Sequence, residues 1–216
     1  MQPVSQEISC EERWFLRLTN GLRKLIMYAR KRGFVMNKRI LWITETAVLL
    51  ALLIVLQWVT KPLGQFVTGS CVNAVLAVTV LVAGLYSGIT VALISPVLAY
   101  LLGIAPQILT VPAIMVGNTV FVVLLYVIAG MDSRKIVRQV IAWAVAAVSK
   151  FAVLYAIVNF LICGVLADSL MASGMLKAPM LKALPATFSW PQLFTALIGG
   201  GLALLITPVL RKALKK

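Results

Sequence analysis

The sequence predicts an all-α integral membrane protein, a six-transmembrane-helix bundle with both termini cytoplasmic. Three observations predict it. First, 62% of the 216 residues are hydrophobic and the mean hydropathy is +1.01. A soluble domain of this size has no use for so much apolar surface, because its outer faces meet water. Second, the apolar residues come in runs near the length of about 20 that crosses the hydrocarbon core. Third, the net charge of +14 is concentrated in the N-terminal arm, one internal loop and the C-terminal tail. That is the distribution of a positive-inside membrane protein. The same placement argues against nucleic acid as a partner, and the lipid bilayer takes its place.

The first 35 residues differ from the rest. In "EERWFLRLTNGLRKLIMYARKRGF" the residues Trp14, Leu18, Leu22 and Leu25 recur at helical spacing, with Arg13, Arg17, Arg23 and Lys24 mostly on other faces. Residues 1–35 therefore read as a basic amphipathic arm, suited to lying on an anionic leaflet. The alternative is that "VMNKRILWITETA" holds the true start at Met36, and the arm is not translated. The membrane domain covers residues 36–216. Its first span runs about 40–60 and ends at "TKPLGQ". The second runs about 69–84 and the third about 89–104, joined by a tight "GLYSG" turn from Gly84 to Gly88. The fourth, about 112–130, follows "APQILTVP". The fifth runs about 139–166 and the sixth about 189–210, ending in "RKALKK". The connection of about 167–188 has room for a short surface helix or a lid.

Six spans put Lys38, Arg39, Arg134, Lys135, Arg138, Arg211, Lys212, Lys215 and Lys216 on one side, and Lys61, Lys177 and Lys182 on the other. The excess sets the first side as cytoplasmic. Each polar residue then acquires a depth. Gln57, Asn73, Asn118, Asn159 and Gln192 all fall in the outer half, with Tyr100, Tyr155 and Trp190 in the same layer. The inner halves are mainly Ala, Val, Leu, Ile and Gly. An unsatisfied amide in lipid costs several kcal/mol. Five amides at one depth on five helices therefore point to a shared polar cavity open to the outside, with aromatics to stack on a flat ligand. The competing reading makes the amides interhelical glue and the aromatics an interfacial belt.

Lys150 lies inside "AAVSKFAVLYAIVN", about 11 residues and roughly 17 Å into span five. A charge at that depth costs about 2.5–3.5 kcal/mol on insertion scales. It is either the cavity floor, pairing with an anionic ligand group or helix carbonyls, or a structural lysine. Tyr155 and Asn159 share a helical face, and Lys150 stands about half a circle from Asn159.

Other chemistries lack their residues. The cysteines Cys10, Cys71 and Cys163 are distant and odd in number, so a zinc site or disulfide framework is disfavoured. The chain has no histidine, the commonest general base and metal ligand. No GxxxxGK[ST] loop is present, so no ATP hydrolysis is expected in this chain. Beyond residue 36 the acids are Glu45, Asp132 and Asp168, none placed midway as a proton relay. No nucleophile–base pair stands out, so an enzyme is not expected.

Ala47 and Ala51 on span one are four apart and form a small-residue stripe that admits a close helix. "GLYSG" and "IGGGLALL" offer similar approach. These features come in a particular order: "AVLLA" on span one, "VAGLYSGITVALISPVLAYLLG" across spans two and three, "VPAIMVGNTVF" on span four and "FSWPQLFTALIGGGLALLITPVLRKAL" at the end. In that order, over about residues 36–216, the chain resembles the substrate-binding S components of energy-coupling factor (ECF) transporters.

The resemblance implies a function. S components bind a vitamin, related micronutrient or metal ion from outside a prokaryotic cell membrane. They dock through small residues of helix one, here Ala47 and Ala51, onto a membrane coupling subunit carrying two ATPases. They are thought to topple to release their cargo, and ATP is used by the partners. The loop "KPLGQFVTGSCVN" corresponds to the gating loop of relatives. Without a histidine cluster the nickel or cobalt branch is disfavoured, leaving a small organic micronutrient. A non-transporting scaffold of the rod-shape-determining type and an independent secondary carrier are the alternatives.

Overall fold

The computed structural model describes residues 38–104, 107–130 and 136–214. The arm of residues 1–35 and the inner-loop Asp132 lie outside the described residues. Every regular element among the described residues is helical: α1 Lys38–Thr60, α2 Gln65–Ala83, α3 Leu85–Leu101, α4 Val111–Ala129, α5 Ile136–Tyr155, α6 Ala167–Ala172, α7 Ala178–Thr187 and α8 Trp190–Leu214. Short 3-10 turns at Lys61–Leu63 and Ile108–Thr110 precede α2 and α4. The described residues from Trp42 onward form one compact unit.

Five helical stretches are long and apolar enough to cross a membrane, and Leu85–Leu101 is a shorter apolar helix of 17 residues. The expected third span thus begins earlier, and its 17 residues stand at the lower end of the range of about 17–25 that crosses a bilayer. The reason lies at Gly84. The expected "GLYSG" turn contracts to this one residue, whose φ of +93° reverses the chain as only glycine does without strain. Leu85 is already helical, and Gly88 lies inside α3. The second helix also starts earlier than expected, at Gln65. The connection after the fifth span holds two short helices, α6 and α7.

The α2 helix is the centre of the bundle. From Val75 to Val82 every residue is buried, so it shows no amphipathic stripe, as expected of a helix covered on all sides. It lies along α8, and Gly199 sets their separation. A Cβ there would collide with the Ser70 carbonyl oxygen, the Asn73 Cβ and the Ala74 nitrogen. Two arginines close the far end. Arg211 donates to the Leu81 carbonyl at 2.7 Å and Arg138 to the Ile128 carbonyl at 2.5 Å. Each satisfies a carbonyl that the last turn of α2 or α4 leaves without a helical donor.

The α1 helix is held by one stripe. Thr46, Leu53, Gln57 and Thr60 are buried, at spacings of seven, four and three. Thr46 shares a 2.8 Å hydrogen bond with Ser87 of α3. The remaining faces carry exposed Val48, Val55 and Trp58, and the small Ala47 and Ala51 are exposed with them.

After Tyr155 the fifth helix changes pitch. Ala156–Val165 is a π-helix, with bonds reaching five residues back, as from the Leu166 N–H to the Leu161 carbonyl at 2.9 Å. Val158 and Ile162 pack there with Leu184 and Phe188. This wide segment is thereby tied to α7 and its C-terminal cap.

Gly199→Ala should force α2 and α8 apart, because the nearest atoms are backbone. Overpacking of this kind costs about 1–3 kcal/mol. A melting temperature several degrees below wild type in detergent is expected; an unchanged one would mean the helices are not so closely held.

Candidate functional site

The polar residues converge at the end of the bundle opposite the two arginine caps. Gln57 closes the buried stripe of α1, and Gln192 stands in the first turn of α8. Asn73 lies eight residues into α2 from Gln65, about 12 Å along the axis. Asn118 lies at a similar depth in α4, and Lys150 faces both from α5. These five residues line one cavity of about 230 Å³. Its walls are mostly apolar, completed by Val72, Ala99, Ile104, Ile114 and, from α7 and its C-terminal cap, Leu184 and Phe188.

Lys150 is the floor. It is only 3% exposed, yet among the described residues it makes no ion pair with an acid: its ammonium donates to Asn73 Oδ1 at 2.5 Å and to Asn118 Oδ1 at 2.7 Å. It also lies 5.6 Å from the centre of the Phe121 ring, within cation–π range. An ammonium only donates, so it fixes both asparagines with their oxygens toward it. Asn73 then turns its Nδ2 to Thr195 Oγ1 of α8 at 3.4 Å, directly above the Gly199 contact. The Asn118 Nδ2 meets nothing.

Unsatisfied groups concentrate here. Among the described residues, the buried side-chain polar atoms without a partner are Gln57 Oε1, Ser95 Oγ, Gln107 Oε1 and Asn118 Nδ2. All four belong to residues that line this cavity. Buried polar atoms are otherwise almost always paired, and a buried orphan costs about 1–3 kcal/mol. Other lining groups are already engaged locally: Thr68 donates to the Thr60 carbonyl, Thr110 to that of Gln107 and Thr187 to that of Ala183.

Three expected contacts stand elsewhere. Tyr155, Asn159 and Trp190 are not among the cavity residues. Trp190, 64% exposed, stacks on Phe151 at 5.7 Å, and Phe151 meets Tyr155 at 5.8 Å. They form an outward aromatic cluster of the kind that anchors at an interface. Asn159 sits in the π-helix and donates to its own Tyr155 carbonyl at 3.1 Å. Helical phase explains the split, because five residues after Lys150 the helix has turned to another face. The aromatic ring that does line the cavity is Phe188.

Ser95 and Gln107 were not foreseen. Ser95 precedes Pro96, whose missing N–H takes one bond from the ladder of α3; a Ser-Pro pair inside an apolar helix was a readable signal. Gln107, between two prolines in "APQILTVP", was another. Lys61 ties this end together, its Nζ donating to the Gly103 carbonyl at 2.6 Å.

No curated protein and no solved structure matches this chain. A family model does match, over residues 41–211, a stretch that holds every cavity residue named here. By that match the chain belongs to the family of ECF transporter substrate-specific components.

Proposed function

We propose that this protein is the substrate-specificity subunit of an ECF-type ABC importer. It binds a vitamin or related organic micronutrient from outside the prokaryotic plasma membrane. It then delivers the cargo to a membrane coupling subunit driven by two ATPases. The observation that carries this reading is the set of four orphaned polar atoms around one cavity. A purely structural polar layer would pair its own donors and acceptors, whereas a binding site leaves them for a ligand.

The reading includes an orientation. The five long apolar stretches and the 25 Å of α3, at 1.5 Å per residue, make six crossings. The positive-inside rule then puts both termini in the cytoplasm and the cavity mouth outside. The exposed stripe of Ala47 and Ala51 is the docking face for the coupling subunit, where small side chains let a partner helix come close. A secondary carrier would need a carboxylate in the cavity for ion coupling, and none lines it among the described residues.

The direct test is capture. Protein purified in mild detergent after growth in rich medium is denatured, and the released small molecules are identified by mass spectrometry. A stoichiometric organic micronutrient is expected. Protein that stays empty even after incubation with a mixed vitamin panel would turn the assignment toward a membrane scaffold.

Docking is tested separately. Ala47→Glu or Ala51→Glu should abolish copurification with the coupling subunit and leave capture intact. Retained copurification would move the docking face elsewhere.

Ser95→Ala tests the orphan directly. It removes an unpartnered hydroxyl, so the empty protein should melt no lower than wild type. Affinity for the captured compound should fall roughly 2- to 12-fold, the worth of one hydrogen bond. A lower melting temperature with unchanged affinity would make Ser95 structural.

A further inference from the structure

We infer that the cavity is built for a small organic monocarboxylate, whose carboxylate bridges Lys150 Nζ and Asn118 Nδ2. The inference rests on the ligand-binding reading above and names the class of ligand.

The donors decide it. The Lys150 ammonium has three N–H groups, and two are taken by Asn73 Oδ1 and Asn118 Oδ1. Asn118, with its oxygen held by Lys150, keeps a buried Nδ2 with no partner. The third ammonium proton and this amide N–H₂ are therefore the donors left on two bonded residues that both line the cavity. Two such donors match the two oxygens of a carboxylate. Asn73 is excluded from the pair, because its Nδ2 already reaches Thr195.

The charges agree. Among the described residues, Lys150 is the only charged residue of the lining, and no aspartate or glutamate accompanies it. A buried cation held by two neutral carbonyls lacks a counter-ion, and a single negative charge supplies it. A cationic ligand would meet an unneutralised ammonium in a low dielectric. A phosphate monoester brings about −1.5 to −2 charges, more than one lysine balances. Size limits the rest of the molecule, since 230 Å³ lies below the usual range of about 300–1,000 Å³ for ligand pockets. The orphaned carboxamides of Gln57 and Gln107, with Ser95, take polar groups on its remaining body. Each carboxamide presents an acceptor or, turned over, a donor.

The test compares acids with their neutral twins. The probes are nicotinate with nicotinamide, biotin with biotinamide and lipoate with lipoamide. To these are added the free acid and methyl ester of whatever compound the protein captures from rich medium. Affinity is read by thermal shift and by equilibrium binding on the full chain. At least one acid should bind on the order of 100-fold more tightly than its neutral twin, the scale of a lost partner to a buried charge.

Asn118→Asp is the decisive variant. It gives Lys150 an internal carboxylate, so the protein should elute as a single peak and melt at or above the wild-type temperature. It should nevertheless lose the preference for the acid. Lys150→Met should lose it too. A captured compound without a carboxylate, or with two, would overturn the inference while leaving the transporter reading in place. So would an ester that binds as tightly as its acid, or Asn118→Asp binding acids like wild type. Protein that captures nothing would overturn both.

Discussion

A single ammonium group in an apolar bundle sets the terms for the polar atoms around it. Lys150 is buried within the bundle, and its protons find acceptors on neighbouring helices. It finds them in Asn73 and Asn118, which draws α2, α4 and α5 to one point. Asn73 passes the constraint on to Thr195 of α8. The approach of α2 and α8 at Gly199, where a methyl group would strike backbone, is what brings Thr195 within reach. One charge thus registers four helices against one another. Apolar packing alone would specify that register poorly, because Val, Leu and Ala surfaces slide on one another at little cost.

This polar junction divides the bundle into unequal halves. Beyond it, toward Arg138 and Arg211, the core closes with Val75–Val82, Phe121 and small alanines. Before it, toward Gln57 and Gln192, the helices leave a cavity roofed in part by α7. The π-helical turn of Ala156–Val165 belongs to that open half. Its extra residue per turn places Val158 and Ile162 against Leu184 and Phe188. The cavity wall and the fifth helix are thereby mechanically joined. The α1 helix completes the asymmetry, with one buried stripe for the cavity and a broad exposed face carrying Ala47 and Ala51.

How much of this was legible follows from what a sequence encodes. Depth is countable, at 1.5 Å per residue from a charged end. Counting placed Gln57, Asn73, Asn118, Lys150 and Gln192 at levels where they share one cavity. Facing is encoded by amphipathic periodicity, and α2 has almost none because protein surrounds it, α3 because its exposed Leu93, Ile94, Val97 and Leu101 are as apolar as its buried face. Tyr155, Asn159 and Trp190 had the right depth and the wrong azimuth. For Asn159 the reading was doubly compromised, since the π-helical pitch has no signature in "AIVNFLICGV". The "GLYSG" turn failed in a different way. Two glycines looked like one turn, but only Gly84 needs its positive φ, and Gly88 is there for packing. Ser95 carries a hydroxyl, which a helix commonly absorbs on its own carbonyls, and Gln107 lies between the third and fourth spans rather than within one.

The orphaned atoms connect stability with function. Each of Gln57, Ser95, Gln107 and Asn118 holds a buried group that an apolar residue of the same shape would hold more cheaply. Four such groups at about 1–3 kcal/mol each are comparable to the whole net stability of about 5–15 kcal/mol for a folded domain. They are tolerable because they cluster. A cluster can be wetted or filled as one unit, whereas scattered orphans would each weaken a separate helix contact. The empty state therefore holds back interaction energy at one place. A ligand that satisfies all four groups at once also joins α1, α3, α4 and the loop before α4 across the cavity. Binding then adds a contact across the cavity to α1, which its single buried stripe and the Thr46–Ser87 hydrogen bond otherwise hold. Gln57 and the small Ala47 and Ala51 stand on different faces of α1, so this one helix carries cavity wall on its buried side and an exposed small-residue surface on the other.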